Sequence, residues 1–194
     1  MAKHTNKLPK NRIVYLDTDE ATNPASVIHD FFSVSWLPDH LKTLKKWRND
    51  AAFGYKRSKK RNPANLLYDH QLTMKLVEVA WLLKDKKLGK LHIKEGKDDI
   101  AEWYINRERK RLNHYPKNLK LKDMIKPTLV LKKMFKTNKL ADYERILNTW
   151  LHDALSTNFM EESLSKCEVI TIYEHLVKLF EAMWLISERS KIGA

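Results

Sequence analysis

The sequence predicts an all-α protein that contains two copies of one three-helix unit. Only four glycines and six prolines occur among 194 residues, whereas a sheet protein needs many of them for its tight turns. Residues 24–82 also align without a gap with residues 127–185, 103 positions further on. Fourteen of the 59 aligned positions are identical, where unrelated segments would share roughly three or four. A fixed period of this kind indicates an internal duplication.

The first helix of each copy is expected to begin at a proline. Asn23 supplies an N-cap residue and Pro24 occupies the first helical position, where its missing amide hydrogen costs nothing. Apolar side chains at helical spacing follow in both copies: Val27, Ile28, Phe31 and Phe32 in the first, and Val130, Leu131, Met134 and Phe135 in the second. The chain before Asn23, including residues 17–23, is expected to be irregular.

The second helix of the first copy is predicted at about residues 37–53, and the third at about 62–87. The third helix opens at Asn62 and Pro63 and is closed by Gly89, whereas its counterpart opens with a capping box of Ser165 and Glu168. The apolar stripe of the third helix ends in a tryptophan and contains a histidine that is expected to be buried with its hydrogen bonds satisfied. In the first copy the stripe consists of Leu66, Leu67, His70, Thr73, Met74, Val77, Ala80 and Trp81.

Two glutamates of the third helices align with each other, Glu78 with Glu181. Each follows a matched lysine, Lys75 or Lys178, by three residues. This spacing predicts an exposed ion pair on the helix surface.

Residues 90–126 have no duplicate. A helix is predicted there from Asp98 to Arg111, followed by a lysine-rich connection of unassigned structure between Pro116 and Pro127. The expected organisation is a basic N-terminal tail, two repeats packed as one domain about an approximate two-fold axis or as a short solenoid, and a basic connector between them. The ranges are 1–22 for the tail, 23–89 and 126–194 for the repeats, and 90–125 for the connector.

Charge is distributed unevenly over this chain of net charge +13. Residues 84–139 contain 18 basic and 7 acidic residues, a balance of +11, whereas residues 140–194 contain 5 and 9, a balance of −4. This pattern favours either an anionic partner or self-association into a homo-oligomer. The first twelve residues have no apolar run and no stretch is long enough to span a bilayer, so a soluble, cytoplasmic protein with no membrane partner is expected.

Neither a metal site nor a cofactor is expected. Cys167 is the single cysteine, which excludes an internal disulfide and a Cys-rich zinc site, and it is predicted to be a small buried residue. The His and Asp residues lack the helical spacing of a ligand set, and no Gly-rich phosphate loop is present.

Two basic clusters are the candidate nucleic-acid-binding residues. Their ammonium and guanidinium groups could displace counterions from phosphates, and nearby aromatic rings could stack on unpaired bases unless those rings belong to the core. In the second copy, the segment equivalent to the first cluster is Phe159 to Leu164, which contains two glutamates. The fold therefore does not require basic side chains at these positions. The clusters are Lys56, Arg57, Lys59, Lys60 and Arg61 in a turn, and Arg107, Arg109, Lys110 and Arg111 beside Trp103, Tyr104, His114 and Tyr115.

Three Arg and His pairs suggest a catalytic alternative. His114 follows Arg109 by five residues and Arg107 by seven, and His152 follows Arg145 by seven. These spacings resemble the Arg and His pair of the HEPN ribonuclease superfamily of small helical domains. The resemblance implies that the arginine holds phosphate and that the histidine assists proton transfer.

The sequence favours binding over catalysis. The leading hypothesis is a non-enzymatic helical binding or adaptor protein that engages nucleic acid or an acidic protein through its basic clusters. The alternatives are a HEPN-like ribonuclease and a structural protein that self-associates through its acidic second copy and basic middle.

Overall fold

The computed structural model describes residues 13–53, 62–90, 98–156 and 164–190, and contains no β-strand within these ranges. The all-α prediction is confirmed. The helices of the described residues are α1 (Thr18–Thr22), α2 (Pro24–Val34), α3 (Leu37–Phe53), α4 (Pro63–Leu83), α5 (Asp98–Arg111), α6 (Leu121–Ile125), α7 (Thr128–Thr137), α8 (Leu140–Leu155) and α9 (Lys166–Ser190).

The core forms where α3 and α8 meet the two long helices. α3 packs on both α9 and α8, and α8 packs in turn on both α3 and α4. Trp47 and Trp150 meet at the contact of α3 with α8, with their rings edge to face and their centroids 5.3 Å apart. Both indoles are almost completely buried, at 1% and 0% exposure. Apolar burial of this size is worth roughly 1.5–3 kcal/mol for each large side chain.

Most predicted helix boundaries are confirmed. α2 begins at Pro24, α3 spans Leu37–Phe53 and α5 spans Asp98–Arg111, and Ser165 and Glu168 form the predicted capping box. α4, however, ends at Leu83 rather than near residue 87, because the chain turns there with a bond from the Lys86 amide to the Leu83 carbonyl.

Gly89 lies beyond the end of α4 in a left-handed conformation, with φ of +57°. A Cβ atom at this position would lie 3.1 Å from the Cα of Ile186 on α9. The glycine therefore permits both the positive φ and the close approach of its loop to α9.

The expectation of irregular chain before Asn23 was wrong for residues 18–22, while residues 1–12 lie outside the described residues. The short helix α1 forms there because Asp17 accepts a hydrogen bond from the Glu20 amide, while the Glu20 side chain accepts one from the Asp17 amide. This capping box was readable from the sequence as an Asp followed by Glu three residues later. The connection between Pro116 and Pro127 likewise contains a helix, α6.

The prediction that Glu78 and Glu181 form exposed pairs with lysines was also wrong. Each glutamate is 1% exposed, and Lys75 pairs with Glu20 instead. The Glu78 carboxylate accepts hydrogen bonds from three consecutive amides, those of Val14, Tyr15 and Leu16, at 2.6, 2.9 and 2.8 Å.

Glu181 does the same for a second non-helical segment. Its carboxylate accepts hydrogen bonds from the amides of Lys117 and Asn118 at 2.9 and 2.8 Å, and from the Asn118 side chain as well. These segments precede α1 and α6, so their amides have no helical partner. The two glutamates therefore fix these non-helical segments to the long helices α4 and α9.

Three residues differ in burial or bonding from the prediction for the third helices. Leu67 is 45% exposed, and Cys167 is exposed rather than buried. Both lie in the first turns of α4 and α9, where few side chains reach the core. His70 is buried as predicted, but its Nε2 has no hydrogen-bond partner within the described residues.

Buried histidines are expected to make stability depend on pH. Burial lowers the pKa of His40, His70 and His175 below the ordinary value of 6.5. The folded protein therefore binds these protons less readily than the unfolded chain. The resulting stability is present above about pH 6.5 and is lost as the pH falls through the folded-state pKa. We expect the free energy of unfolding, measured by urea titration, to fall from about pH 7 to about pH 5.

A variant at His40 tests the cause of this dependence. His40 Nε2 lies 2.8 Å from the Phe31 carbonyl, and His40→Gln keeps a donor there without a titrating group, so part of the pH dependence should disappear. His152→Gln changes an exposed histidine and should leave the dependence intact. Burial raises the pKa of Glu78, which acts in the opposite direction, but Glu78 is present in the parent and in both variants, so its contribution cancels when their pH dependences are compared. Equal stability at both pH values would contradict the prediction.

Candidate nucleic-acid interface

Helix α5 packs against the protein through one face only. Ala101 and Ile105 on this face are 2% and 3% exposed, and α5 contacts α6. The residues that follow, Leu112 and Tyr115, pack against a small apolar cluster formed by Leu119, Val130, Ala182 and Leu185. The periodicity of a helix places Ala101, Ile105, Glu108 and Leu112 on this inner face.

A buried ion pair fastens α5 to the end of α9. The Arg189 guanidinium donates to both carboxylate oxygens of Glu108, with Nε to Oε1 at 2.8 Å and Nη2 to Oε2 at 2.7 Å. Both side chains are largely buried, at 7% and 6% exposure. Tyr115 adds a hydroxyl hydrogen bond to Glu108 at 2.8 Å. Burial alone would raise the pKa of Glu108, but the hydrogen bonds and charge of Arg189 outweigh it and hold that pKa below its usual value.

Arg189 also holds two backbone segments. Its Nη1 donates to the carbonyl of Gly89 at 2.5 Å and to the carbonyl of Met124, in the last turn of α6, at 2.7 Å. One guanidinium thereby joins α5, α6, α9 and the loop after α4. The position of α5 on the molecule is therefore fixed by a satisfied, buried polar contact.

The opposite face of α5 is exposed and combines aromatic with basic side chains. Trp103 is 55% exposed and Tyr104 is 42% exposed, so neither belongs to the core. Their rings meet edge to face, with centroids 5.0 Å apart and an angle of 87° between planes. The Arg107 guanidinium lies over the Trp103 ring, 5.5 Å from its centroid. We call this the outer face of α5, consisting of Ile100, Trp103, Tyr104, Arg107 and Arg111.

Exposed lysines also occur on the elements that follow α5. α6 contacts both α5 and α7, so these three helices are neighbours along the chain and in space. Two of the acids in this part of the described chain are paired: Asp85 with Lys84 and Lys132, and Asp123 with Lys133. Glu102, beside Trp103 on α5, is exposed. The exposed lysines of the connector, of α7 and of the turn after α7 that form no ion pair within the described residues are Lys117, Lys120, Lys122, Lys136 and Lys139.

The structure separates the sequence-predicted basic residues into two groups. Arg107, Arg109, Lys110 and Arg111 lie exposed on α5. Arg109 differs from the other three, because its guanidinium lies 5.3 Å from the centre of the Tyr115 ring. The predicted turn with Lys56, Arg57, Lys59, Lys60 and Arg61 lies outside the described residues, so nucleic-acid binding by this cluster stays a prediction.

The residues of the ribonuclease alternative lie in two places. His114 follows α5, where its ring contacts Trp36 at 5.5 Å between centroids and its carbonyl accepts the Trp184 Nε1 hydrogen at 2.7 Å. Arg145 and His152 are exposed on α8, two helical turns apart. Catalysis by any of the three Arg and His pairs stays a prediction, as does self-association of the chain.

Sequence reasoning missed the Glu108–Arg189 pair that positions the site. Arg189 lies beyond the repeat alignment and Glu108 lies in the unduplicated insert, so the period gave no information on either residue. The pair joins positions 81 residues apart, which no local pattern connects. The one available signal was a glutamate at helical spacing from apolar residues, at the step after Ala101 and Ile105.

Other kinds of site find no support in the part of the chain that the structure describes. No cluster of three or more His, Cys, Asp or Glu residues there is arranged to hold a metal ion. Among the described helices, none combines the length and apolarity needed to cross a bilayer. No protein family, curated protein or solved structure matches the chain.

Proposed function

We propose that the protein is a non-enzymatic binding protein that engages nucleic acid through the outer face of α5 and the exposed lysines on the elements that follow it. The observation that carries the proposal is the outer face itself, which exposes two aromatic rings and two arginines on a helix fixed by a buried ion pair. Arginines supply phosphate contacts and aromatic rings supply stacking surfaces. Three of the nearby acids, Asp85, Glu108 and Asp123, are already paired with cations, while Glu102 on α5 is exposed and reduces the local positive charge.

The charge of the chain favours a nucleic acid over an acidic region of a protein as the ligand. Arginine, tyrosine and tryptophan are also frequent in protein interfaces. The exposed lysines on the elements that follow α5, however, add positive charge outside the aromatic patch, and phosphate contacts need such charge. This additional charge favours a polyanion with regularly repeated charge.

The binding is expected to depend steeply on salt. Fluorescence anisotropy of a labelled oligonucleotide of about 20 nucleotides would give the dissociation constant of the full chain between about 50 and 200 mM salt. Replacing Arg107 and Arg111 with alanine should weaken binding and reduce the slope of log affinity against log salt by about 1.4, or about 0.7 per lost phosphate contact on a single strand.

A matched variant controls for the loss of general positive charge. Lys45 and Lys46 are exposed on α3, which has no substantial contact with α5, so replacing both with alanine should change the slope much less. Absent binding, or binding that salt does not affect, would overturn the proposed function. Equal effects of the two double variants would remove α5 as the interface.

We also propose that the chain arose by duplication of a unit longer than the alignment first indicated. Helices α1 and α6 begin 103 residues apart and end 103 residues apart, at Thr18 and Leu121 and at Thr22 and Ile125. Glu78 and Glu181 accept amides that lie 64 and 63 residues before them in both halves. These equivalences support a unit of about residues 13–89, with α5 added between the copies.

The exchange of packing partners supports the same proposal. α3 packs on the long helix of the second half, and α8 packs on the long helix of the first half. Such reciprocity is what an approximate two-fold axis between two related units produces. An experimental structure in which residues 13–83 failed to superimpose on residues 116–186 would contradict the duplication.

A further inference from the structure

We propose that the outer face of α5 is specific for single-stranded nucleic acid, with an unpaired base stacked on Trp103 and a second base against Tyr104. The inference rests on the proposed nucleic-acid binding and names its substrate class. Its physical basis is the exposure and the relative orientation of these two rings.

The two rings are placed where a ligand can cover them. An indole left 55% exposed forgoes much of the roughly 1.5–3 kcal/mol that burial of a large apolar side chain provides. Ile100 and Tyr104 extend the same exposed patch, at 39% and 42% exposure. Contiguous apolar patches of this kind on a charged protein mark interaction sites.

The orientation of the rings favours a flexible strand over a duplex. Their planes stand at 87° to each other, so two bases that stack on them must also lie in different planes. The bases of a duplex are parallel, stacked on one another and covered on both faces. A single strand can turn between successive nucleotides and offer each base face separately.

Arg107 is placed to hold the phosphate of a stacked nucleotide. Its guanidinium lies 5.5 Å from the centre of the Trp103 ring, which is within the range of a cation–π contact. A base on the open side of the indole would bring its own phosphate towards this charge, and Arg111, one turn further along the helix, is exposed to the next. Stacking of this type is tolerant of sequence, because every base has a π face.

The experiment measures the affinity of the full chain for labelled oligothymidine and for a labelled duplex of the same length. The same measurements are made with variants of exposed aromatic residues. Trp103→Ala should weaken binding of the single strand by roughly 5- to 150-fold, the range expected for the loss of one base stack. Trp103→Phe, which keeps a ring, should restore most of this affinity. Both variants should leave the salt slope unchanged, since they remove no charge, and should weaken binding of the duplex less than binding of the single strand.

Tyr68 provides the control for an exposed aromatic residue elsewhere. It is 48% exposed on α4, so Tyr68→Ala should have no effect where Tyr104→Ala weakens single-strand binding. If parent and Trp103→Ala bind the single strand equally while binding remains sensitive to salt, the stacking inference falls and the proposed function stands. Tighter binding of the duplex, or equally effective competition by polyglutamate of matched charge, would also overturn the inference. If the parent chain shows no salt-dependent binding at all, both the stacking inference and the proposed function are overturned.

Discussion

Replacement of Arg189 with methionine is expected to lower the free energy of unfolding by about 3–5 kcal/mol, the cost of breaking a buried ion pair by removing one partner. The substitution keeps much of the side-chain volume but leaves the Glu108 carboxylate buried without its cation. It also leaves the carbonyls of Gly89 and Met124 without the donor that both now share. Urea unfolding followed by far-UV circular dichroism measures the loss.

Two further variants identify the ion pair as the cause. Arg107→Met removes an exposed arginine of α5, the helix that Arg189 holds. It should change the free energy of unfolding by no more than about 0.5 kcal/mol. Combining Arg189→Met with Glu108→Gln should cost clearly less than the sum of the two single changes, because the second change removes the unpaired charge. A loss below about 1 kcal/mol for Arg189→Met would show that the pair does not hold α5 in place.

Replacement of Trp150 with alanine is expected to cost about 3–5 kcal/mol, the usual range for truncating a buried aromatic residue to alanine. Trp150 is 0% exposed and meets Trp47 at the contact of α3 with α8. The cavity would therefore open where both halves of the protein meet. Urea denaturation of the parent chain and of Trp150→Ala measures this loss.

The equivalent position supplies a matched test. If the two halves are related by duplication, Trp47→Ala should cost the same as Trp150→Ala to within about 1 kcal/mol, and the double variant should be strongly non-additive. Trp150→Phe keeps an aromatic ring in the contact and should cost less than Trp150→Ala. This variant also loses no hydrogen bond, because Trp150 Nε1 has no hydrogen-bond partner among the described residues. A tolerated Trp150→Ala would contradict the central place of this contact.

The sequence predicted what depends on local pattern. Apolar periodicity located α2, α3, α4, α5 and α9, because a stripe at helical spacing is itself the surface that packs. Capping residues located several helix starts, and the overlooked Asp17 and Glu20 show that the same rule could have found α1. The placement of Arg107 to Arg111 on a helix was also predicted, from the acidic residues at its start and the basic residues at its end.

The errors concern contacts between distant parts of the chain. Glu78 was interpreted from its lysine neighbour three residues away, whereas its partners are amides more than sixty residues earlier. A carboxylate on a helix can satisfy either role, and only the tertiary fold selects between them. The exposure of Trp103 could not be read from spacing either, since the sequence does not say which face of α5 meets the protein.

The exchange of packing partners between α3 and α8 has a consequence for how this chain can change. Each half buries its helix against the other half, so neither contains a complete interior of its own. A change of side-chain volume in α3 has to be accommodated by α8 and α9, both on the far side of the connector. Substitutions in these helices are therefore expected to be energetically coupled, as they are across the interface of an obligate dimer.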